Sequence, residues 1–516
     1  MRAALPLLVL VLALLSCAAA QAPAQAPVVD VGNAQYQGTV SPQTNISTYL
    51  GIRYAAAPVG GLRFRAPQSP PALPGVQRAA TAPPRCLQAP FGELPTNPNP
   101  ESPLRARAVQ PDQEDCLFLK YIGGGAASYD GGDLIVRAKN GVVVVTIQYR
   151  LGIFGNAHHR FLAGARVKAD GALNAGLLDQ EFALKWVQQH ISKFGGDPQR
   201  VTIWGESAGA GSVLQHVVAR NGRTRPPLFR AAISSSSFLP SQHPFDGAVP
   251  ERIFSQVVSQ TGCGGAADAL ACLRAADVSR LQAANVQVNR AGFYGTLVTV
   301  PVVDGDFITQ RPTVALRQRR VNGEALLAVT NTHEGNGFVN QSTAGTVTAA
   351  DYALRLFPDL GTANAAAAAR LYAPVGAPID QANAIMGESI FVCPSYFMLN
   401  AFPAASYKGE FAVPNGSHGE DVAFYFPSVR SPTFNNTPFI ISFAGAFMDF
   451  ATSLDPNRRI DSRSITPLWA PHCVAHSEML FNRTSDGRPD IRAIATPPPL
   501  LQRCAFWESV AHLTAQ

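Results

Sequence analysis

The stretch VTIWGESAGAGSV, residues 201–213, constrains this chain more than any other. A β-branched and aromatic run leads into one serine set among glycines, Gly205-Glu206-Ser207-Ala208-Gly209. Glycine inside a regular element gives up the most backbone freedom on folding, so glycines here mean a turn that other residues cannot make. RVTIW (200–204) reads as a buried strand and AGAGSVLQHVVA (208–219) as a helix. The spacing is the G-x-S-x-G strand-turn-helix, which lifts a serine above the carboxyl end of a sheet. Gly205 and Gly209 must lack side chains, or strand and helix would collide. The helix dipole and the Ala208 N–H then point to where an oxyanion would form. The competing reading, a glycine-rich loop around an ordinary serine, does not explain the strand before and the helix after.

The neighbouring segments extend the same pattern. GVVVVTIQY (141–149) is a continuous β-branched run, expected as a strand buried on both faces. GLLDQEFALKWVQQHISKF (176–194) places Leu178, Phe182, Trp186 and Ile191 at helical spacing, and EALLAVTNT (324–332) reads as a further buried strand. Strand and helix in alternation imply a parallel sheet with right-handed crossovers. Residues 346–408 read as mostly helical, and 66–114, rich in proline, as irregular and exposed. No flexible linker divides these parts, so residues 21–516 are expected to form a single domain.

The first twenty residues read as a secretory signal peptide (1–20): Arg2, a short apolar core from Leu5 to Leu15, and a small-residue cleavage site at Ala18–Ala20. The apolar run is short for a membrane anchor. Lipid attachment at Cys17 is the other alternative. Asn45, Asn340, Asn415, Asn435 and Asn482 each begin an N-x-S/T triplet, so each is a glycosylation candidate. Both features fit a secreted, extracellular protein, in which disulfides persist. Without Cys17, seven cysteines remain, and an odd number leaves one unpaired. A formal charge of +6 on 516 residues, with no basic run, argues against nucleic acid as a partner.

At YLGIRYAAAPVGGLRF, EDCLFL, VVVVTIQYRLGIFG, the 172–212 block and VPVVDGDF, the chain resembles the type-B carboxylesterases, a family that includes cholinesterases and fungal lipases. The resemblance covers nearly the whole chain after the signal. It implies an α/β architecture, the α/β-hydrolase fold: a mostly parallel central sheet flanked by helices, with a helical insertion. It also implies hydrolysis of carboxylic esters of small molecules or lipids, with possible contact at a lipid interface and with no metal or cofactor.

A serine needs a base to take its proton and an acid to hold the base. His418, in NGSHGEDVAFYF, matches the family's H-G-x-[DE] histidine, and Glu334, in NTHEGNGF, matches its E-G acid. His333, beside the acid, is the nearest competitor. The chain order Ser207, Glu334, His418 is that of α/β-hydrolases. The resemblance further assigns Gly124 and Gly125 of the GGG run, with Ala208, to the oxyanion hole, and gives Glu206 an electrostatic role. It pairs Cys86 with Cys116, Cys263 with Cys272 and Cys393 with Cys504, leaving Cys473 free.

Departures from the family matter too. Residues 86–116 contain no tryptophan, which argues against a choline ester. In the resembling proteins a separate apolar strand delivers the glycines, whereas here EDCLFLKYIGGG runs almost directly into Gly123. LFLKYI can be only one of the two strands. Either it keeps Cys116 beside Cys86 or it carries the glycines. In both cases the sheet is expected to lose a paired strand, and the esterase to be weaker for it. NAHHR (156–160) looks inserted. A catalytically impaired binding protein or pseudoenzyme on the same fold is the alternative function. The retained serine, glutamate and histidine oppose it.

Overall fold

The computed structural model describes residues 25–95, 112–119, 130–155, 163–402 and 406–516. The expected signal segment, Cys17, the oxyanion candidates Gly124 and Gly125, and the 156–160 insertion all lie outside the described residues.

Short strands come first: β1 (Gln25–Asp30), β2 (Gln35–Val40), β3 (Ser47–Thr48), β4 (Ile52–Arg53), β5 (Val76–Arg78) and β6 (Phe118–Leu119). They build a small sheet, β1-β2-β3 with β5 on β2, and a separate β4-β6 pair. The central sheet uses β7 (Thr202–Glu206), β8 (Ala231–Ser235), β9 (Ala325–Asn331), β10 (Ser406–Phe411), β11 (Ser477–Arg483) and β12 (Pro489–Ala495), in the order β12-β11-β10-β9-β8-β7. β7 through β11 run parallel, and β12 is antiparallel to β11.

Every residue of β8 and β9 is buried. Their apolar runs do not alternate with polar residues because helices cover both faces. On β9, Leu326 and Ala328 face one core, while Ala325, Leu327 and Val329 face the other. The first core holds Val213, Leu214 and Val217 of the helix Ala208–Val218, together with the expected helical insertion: Ala349–Leu356, Thr362–Tyr372, Pro378–Gly387 and Cys393–Ala401. The second holds Phe439, Phe443, Phe447 and Phe450 of the helix Thr437–Ser453. That seventeen-residue helix is apolar, yet no helix among the described residues is long and apolar enough to cross a membrane. Registers align the carboxyl ends of neighbouring strands: Glu206 opposite Ser235, Ser235 opposite Val329, and Asn331 opposite Phe411.

Disulfides join Cys86–Cys116, Cys263–Cys272 and Cys393–Cys504, and Cys473 is free and exposed. Since Cys116 is bonded to Cys86 and β6 pairs antiparallel with β4, the LFL segment takes the first of its two possible roles. One expectation is corrected. Residues 142–149 are not buried on both faces: Val143 is exposed, Val142 and Val144–Ile147 are half-buried, and only Gln148 and Tyr149 are buried. Burial of both faces of a strand needs elements packed over both faces. Here the Gln148 N–H donates to Phe118 O of β6, and the segment forms no strand ladder among the described residues. β7 is likewise the last strand of the central sheet among the described residues, with Thr202, Ile203 and Trp204 half-buried.

An edge strand opens at lower free energy than a central one. Amide exchange followed by mass spectrometry is therefore expected to show β8 and β9 protected up to global unfolding, and β7 losing protection at lower denaturant. Equal protection of β7 and β8 would show that the flank of β7 is covered.

Candidate active site

Ser207 follows β7 with φ 56° and ψ −123°, a left-handed conformation that a serine adopts only under constraint. The constraint is visible. A Cβ on Gly205 would lie 2.1 Å from the carbonyl carbon of Gly209, so only glycine lets the helix return this close to the strand. The Ser207 N–H donates to Ser235 O of β8 at 2.8 Å, and the Ser207 carbonyl accepts from Gly211 N at 3.0 Å. Ala208 opens the helix, so its N–H is among those left without an intrahelical acceptor.

The parallel strands bring distant residues to this turn. Ser207 Oγ lies 2.7 Å from His418 Nε2, and His418 Nδ1 lies 2.5 Å from Glu334 Oε2. A carboxylate can only accept, so Nδ1 carries the hydrogen, and in the neutral ring Nε2 is left to accept from the serine. Glu334 is fixed in turn: its Oε1 accepts from the Asn331 N–H at 2.6 Å and from Ser236 Oγ at 2.7 Å. The acid turn and the histidine turn are stitched by the backbone, His333 N–H to Gly416 O at 2.8 Å. His333, the competing histidine, has an exposed side chain.

Two residues of this network are not singled out by the sequence reading. Ser236, buried and at φ 55°, supports Glu334 from the end of β8; its only sequence signal is the run Ser234–Ser237. Asp421 is fully buried and accepts from Asn331 Nδ2 at 3.1 Å and from Tyr425 OH at 2.9 Å. Its signal is the last position of the H-G-x-[DE] match.

Glu206 Oε1 lies 3.5 Å from His418 Nε2, the nitrogen that faces Ser207. Burial pulls the imidazole down, but Glu334, Glu206 and Asp421 outweigh it, and the balance holds His418 up at about 9. Burial pushes Glu206 up to about 8, with His418 opposing and with Asp421 and Glu334 adding repulsion. Burial likewise raises Asp421 to about 6. The cluster favours a proton on the imidazole. The buried His216 shows the opposite case: away from this cluster burial dominates, and it is driven down to about 4.

The apolar side of the site is aromatic. The Phe338 and Phe391 rings lie 4.9 and 4.6 Å from the His418 ring, and Phe91 lies 5.6 Å from Phe338. Phe91 belongs to the Cys86–Cys116 loop and is 48% exposed. The first part of that loop is pinned rather than free: Gly92 N–H to Thr296 O, Leu94 N–H to Gly292 O, and Tyr294 N–H to Leu94 O. Of the glycosylation candidates, Asn45, Asn415 and Asn435 are exposed, while Asn340 and Asn482 are half-buried.

Comparison with known proteins agrees with the fold. The model of the carboxylesterase family matches residues 25–121 and 120–490, two segments that meet at the short join before Gly123. Lipase 4 of Diutina rugosa is 29% identical over 475 residues, covering 80% of this chain and 84% of that protein. Secreted lipase 1 of Botryotinia fuckeliana (strain B05.10) is 32% identical over 331 residues, 57% of each. The crystal structure of Aspergillus niger EstA superposes with a TM-score of 0.81 at 28% identity, over 96% of this chain and 99% of that one. With an α/β-hydrolase sheet carrying its serine on a glycine-flanked turn, and a family match spanning most of its length, this chain belongs to the carboxylesterase family.

Proposed function

We propose that this carboxylic ester hydrolase works through a Ser207–His418–Glu334 triad and an acyl-enzyme intermediate. One observation carries the reading: the unbroken hydrogen-bond chain from Ser207 Oγ through both ring nitrogens of His418 to Glu334. In this reading His418 Nε2 takes the serine proton as Oγ attacks the ester carbonyl. The carbonyl oxygen becomes an oxyanion facing the Ala208 N–H, with Gly124 and Gly125 as the assigned partners. Nε2 then returns the proton to the departing alcohol, leaving acyl-Ser207. A water attacks the acyl carbon, His418 takes its proton, and the acid leaves as Ser207 is reprotonated. Glu334 holds the ring in the required tautomer throughout. Glu206 supplies negative charge beside Nε2 while the imidazolium exists.

The substrate is an ester of a small molecule or a lipid with an apolar part, because the rings beside His418 offer no charged partner to it. The named lipases among the relatives support this class, and the name of the Botryotinia fuckeliana relative, a secreted lipase, with the disulfides here, supports an extracellular protein. Residues 21–516 would form one catalytic domain after removal of 1–20. A catalytically impaired binding protein would have no use for an intact proton path, which disfavours that alternative.

A fluorophosphonate probe is expected to label the parent protein at Ser207. Ser207→Ala and His418→Ala should each lower kcat on a short aryl ester by a factor on the order of 10⁵–10⁶, with Glu334→Gln roughly ten- to a hundredfold milder. A Ser207→Ala protein that hydrolyses at the parental rate would sink the mechanism. A panel of aryl esters of increasing acyl length, with an emulsified triglyceride, then separates esterase from lipase.

The pH profile offers a second check. The base must be neutral to act, so kcat/KM rises with pH as His418 loses its proton. Glu206→Gln removes a negative charge 3.5 Å from Nε2 and so destabilises the imidazolium. The acidic limb should move to lower pH. A limb that stays in place, or moves up, would remove Glu206 from the electrostatics of the base.

A further inference from the structure

The helix Pro378–Gly387 and the helix Cys393–Ala401 are joined without a break by a π-turn, Glu388–Val392. Such turns insert one residue into a helix and redirect the side chains that follow. The sequence explains where it falls. Pro394 has no N–H to give the carbonyl four residues earlier. That carbonyl, Ile390 O, accepts instead from Leu239 N–H at 2.9 Å, and Cys393 N–H reaches back to Glu388 O.

This helix approaches two of the three members of the proposed triad. It passes so close to the acid turn that a Cβ on Gly335 would lie 1.9 Å from Asn383 O, and one on Gly387 would lie 2.9 Å from Gly335 N. Four residues after Gly387 the π-turn presents Phe391. Its ring is 1% exposed and lies against His418 and, at 5.1 and 5.7 Å, against Phe338 and Phe238.

The outer side of the turn is clamped. Arg503 donates to both carboxylate oxygens of Glu388 at 2.7 Å, and Tyr372 OH donates to Glu388 Oε2 at 2.7 Å. Trp507 Nε1 donates to Tyr372 OH at 2.8 Å, Gln516 Nε2 donates to Ser389 O at 2.9 Å, and the Cys393–Cys504 bond lies next to Arg503.

We propose that the π-turn is a positioning element of the active site: Phe391 buttresses the His418 ring, and the Glu388–Arg503 clamp on the C-terminal helix Pro498–Ser509 holds Phe391 in place. The inference rests on His418 being the base. An imidazole held only by one hydrogen bond at Nδ1 is free to swing about it. A ring packed against it at 4.6 Å, with the two planes tilted by 49°, keeps Nε2 aimed at Ser207, and small misplacements of a base are costly.

The test uses the full chain and counts active sites with a fluorophosphonate, so that unfolded protein does not enter the rate. Phe391→Leu is expected to lower kcat per titrated site on a short aryl ester by about tenfold while KM stays within about twofold. Arg503→Met should lower kcat in the same sense, by less. Glu388→Gln, which keeps the side chain's size, replaces it if that protein does not fold. Unchanged kcat per site in the Phe391 and clamp variants, with only thermal stability lowered, would reduce the turn to a packing feature and overturn the proposal. A raised KM with kcat intact would overturn it too, by making Phe391 a substrate wall. Failure of the parent to label at Ser207 would instead refute the triad, and is read separately.

Discussion

The structure depends on how closely the helix Ala208–Val218 can approach the end of β7. Without a side chain at Gly205 the backbone returns on itself within van der Waals distance, and Ser207 is forced to the left-handed conformation that lifts Oγ clear of the sheet. Everything else in the site is placed relative to that one hydroxyl. His418 is 211 residues away in sequence and Glu334 is 84 from His418. They meet because β7, β8, β9 and β10 run parallel and end level, so that the turns after them share one rim. Ligands bind at such rims in open parallel sheets for this reason: that is where loops from non-neighbouring parts of the chain converge.

The electrostatics of the rim are one-sided. Glu206, Glu334 and Asp421 surround a single imidazole. Three fully charged carboxyls in a buried site would repel strongly, and the raised values of Glu206 and Asp421 show how the site relieves this, by sharing protons rather than holding three charges. Glu334 has three donors, Asn331 N–H, Ser236 Oγ and His418 Nδ1, against two for Asp421, Asn331 Nδ2 and Tyr425 OH. In the proposed reaction this division separates the acid that holds His418 Nδ1 from two carboxyls that share protons with their surroundings.

Much of this is legible in the amino-acid sequence, and the reasons differ by element. The turn at Ser207 can be read because glycine spacing and flanking periodicity make a local statement, and local statements survive folding. β9 can be read because a strand buried on both faces needs no alternation. The roles of His418 and Glu334 need the family resemblance, since nothing local in NGSHGED says what the imidazole will meet. Ser236 and Asp421 escape a sequence reading because their function is a tertiary contact with Asn331 or Glu334. GVVVVTIQY misleads for a related reason: β-branched composition reports the capacity to be a central strand, whereas burial depends on whether a neighbour is present on each side. The π-turn is hidden as well, although Pro394 stands in the sequence as its cause.

The half-buried flank of β7 raises the question of what holds the nucleophile still when its strand lies at the edge of the described sheet. The answer lies on the other side. Ser207 N–H is bonded to Ser235 O, and Trp204 Nε1 donates to Ser235 Oγ at 3.2 Å. The Trp204 indole stacks on Phe447 at 5.0 Å and meets the edge of Tyr425 at 4.9 Å, and Tyr425 in turn donates to Asp421. These contacts tie β7 to β8, to the helix Thr437–Ser453 and to the acidic cluster at once. The nucleophile is therefore oriented by the buried half of its surroundings.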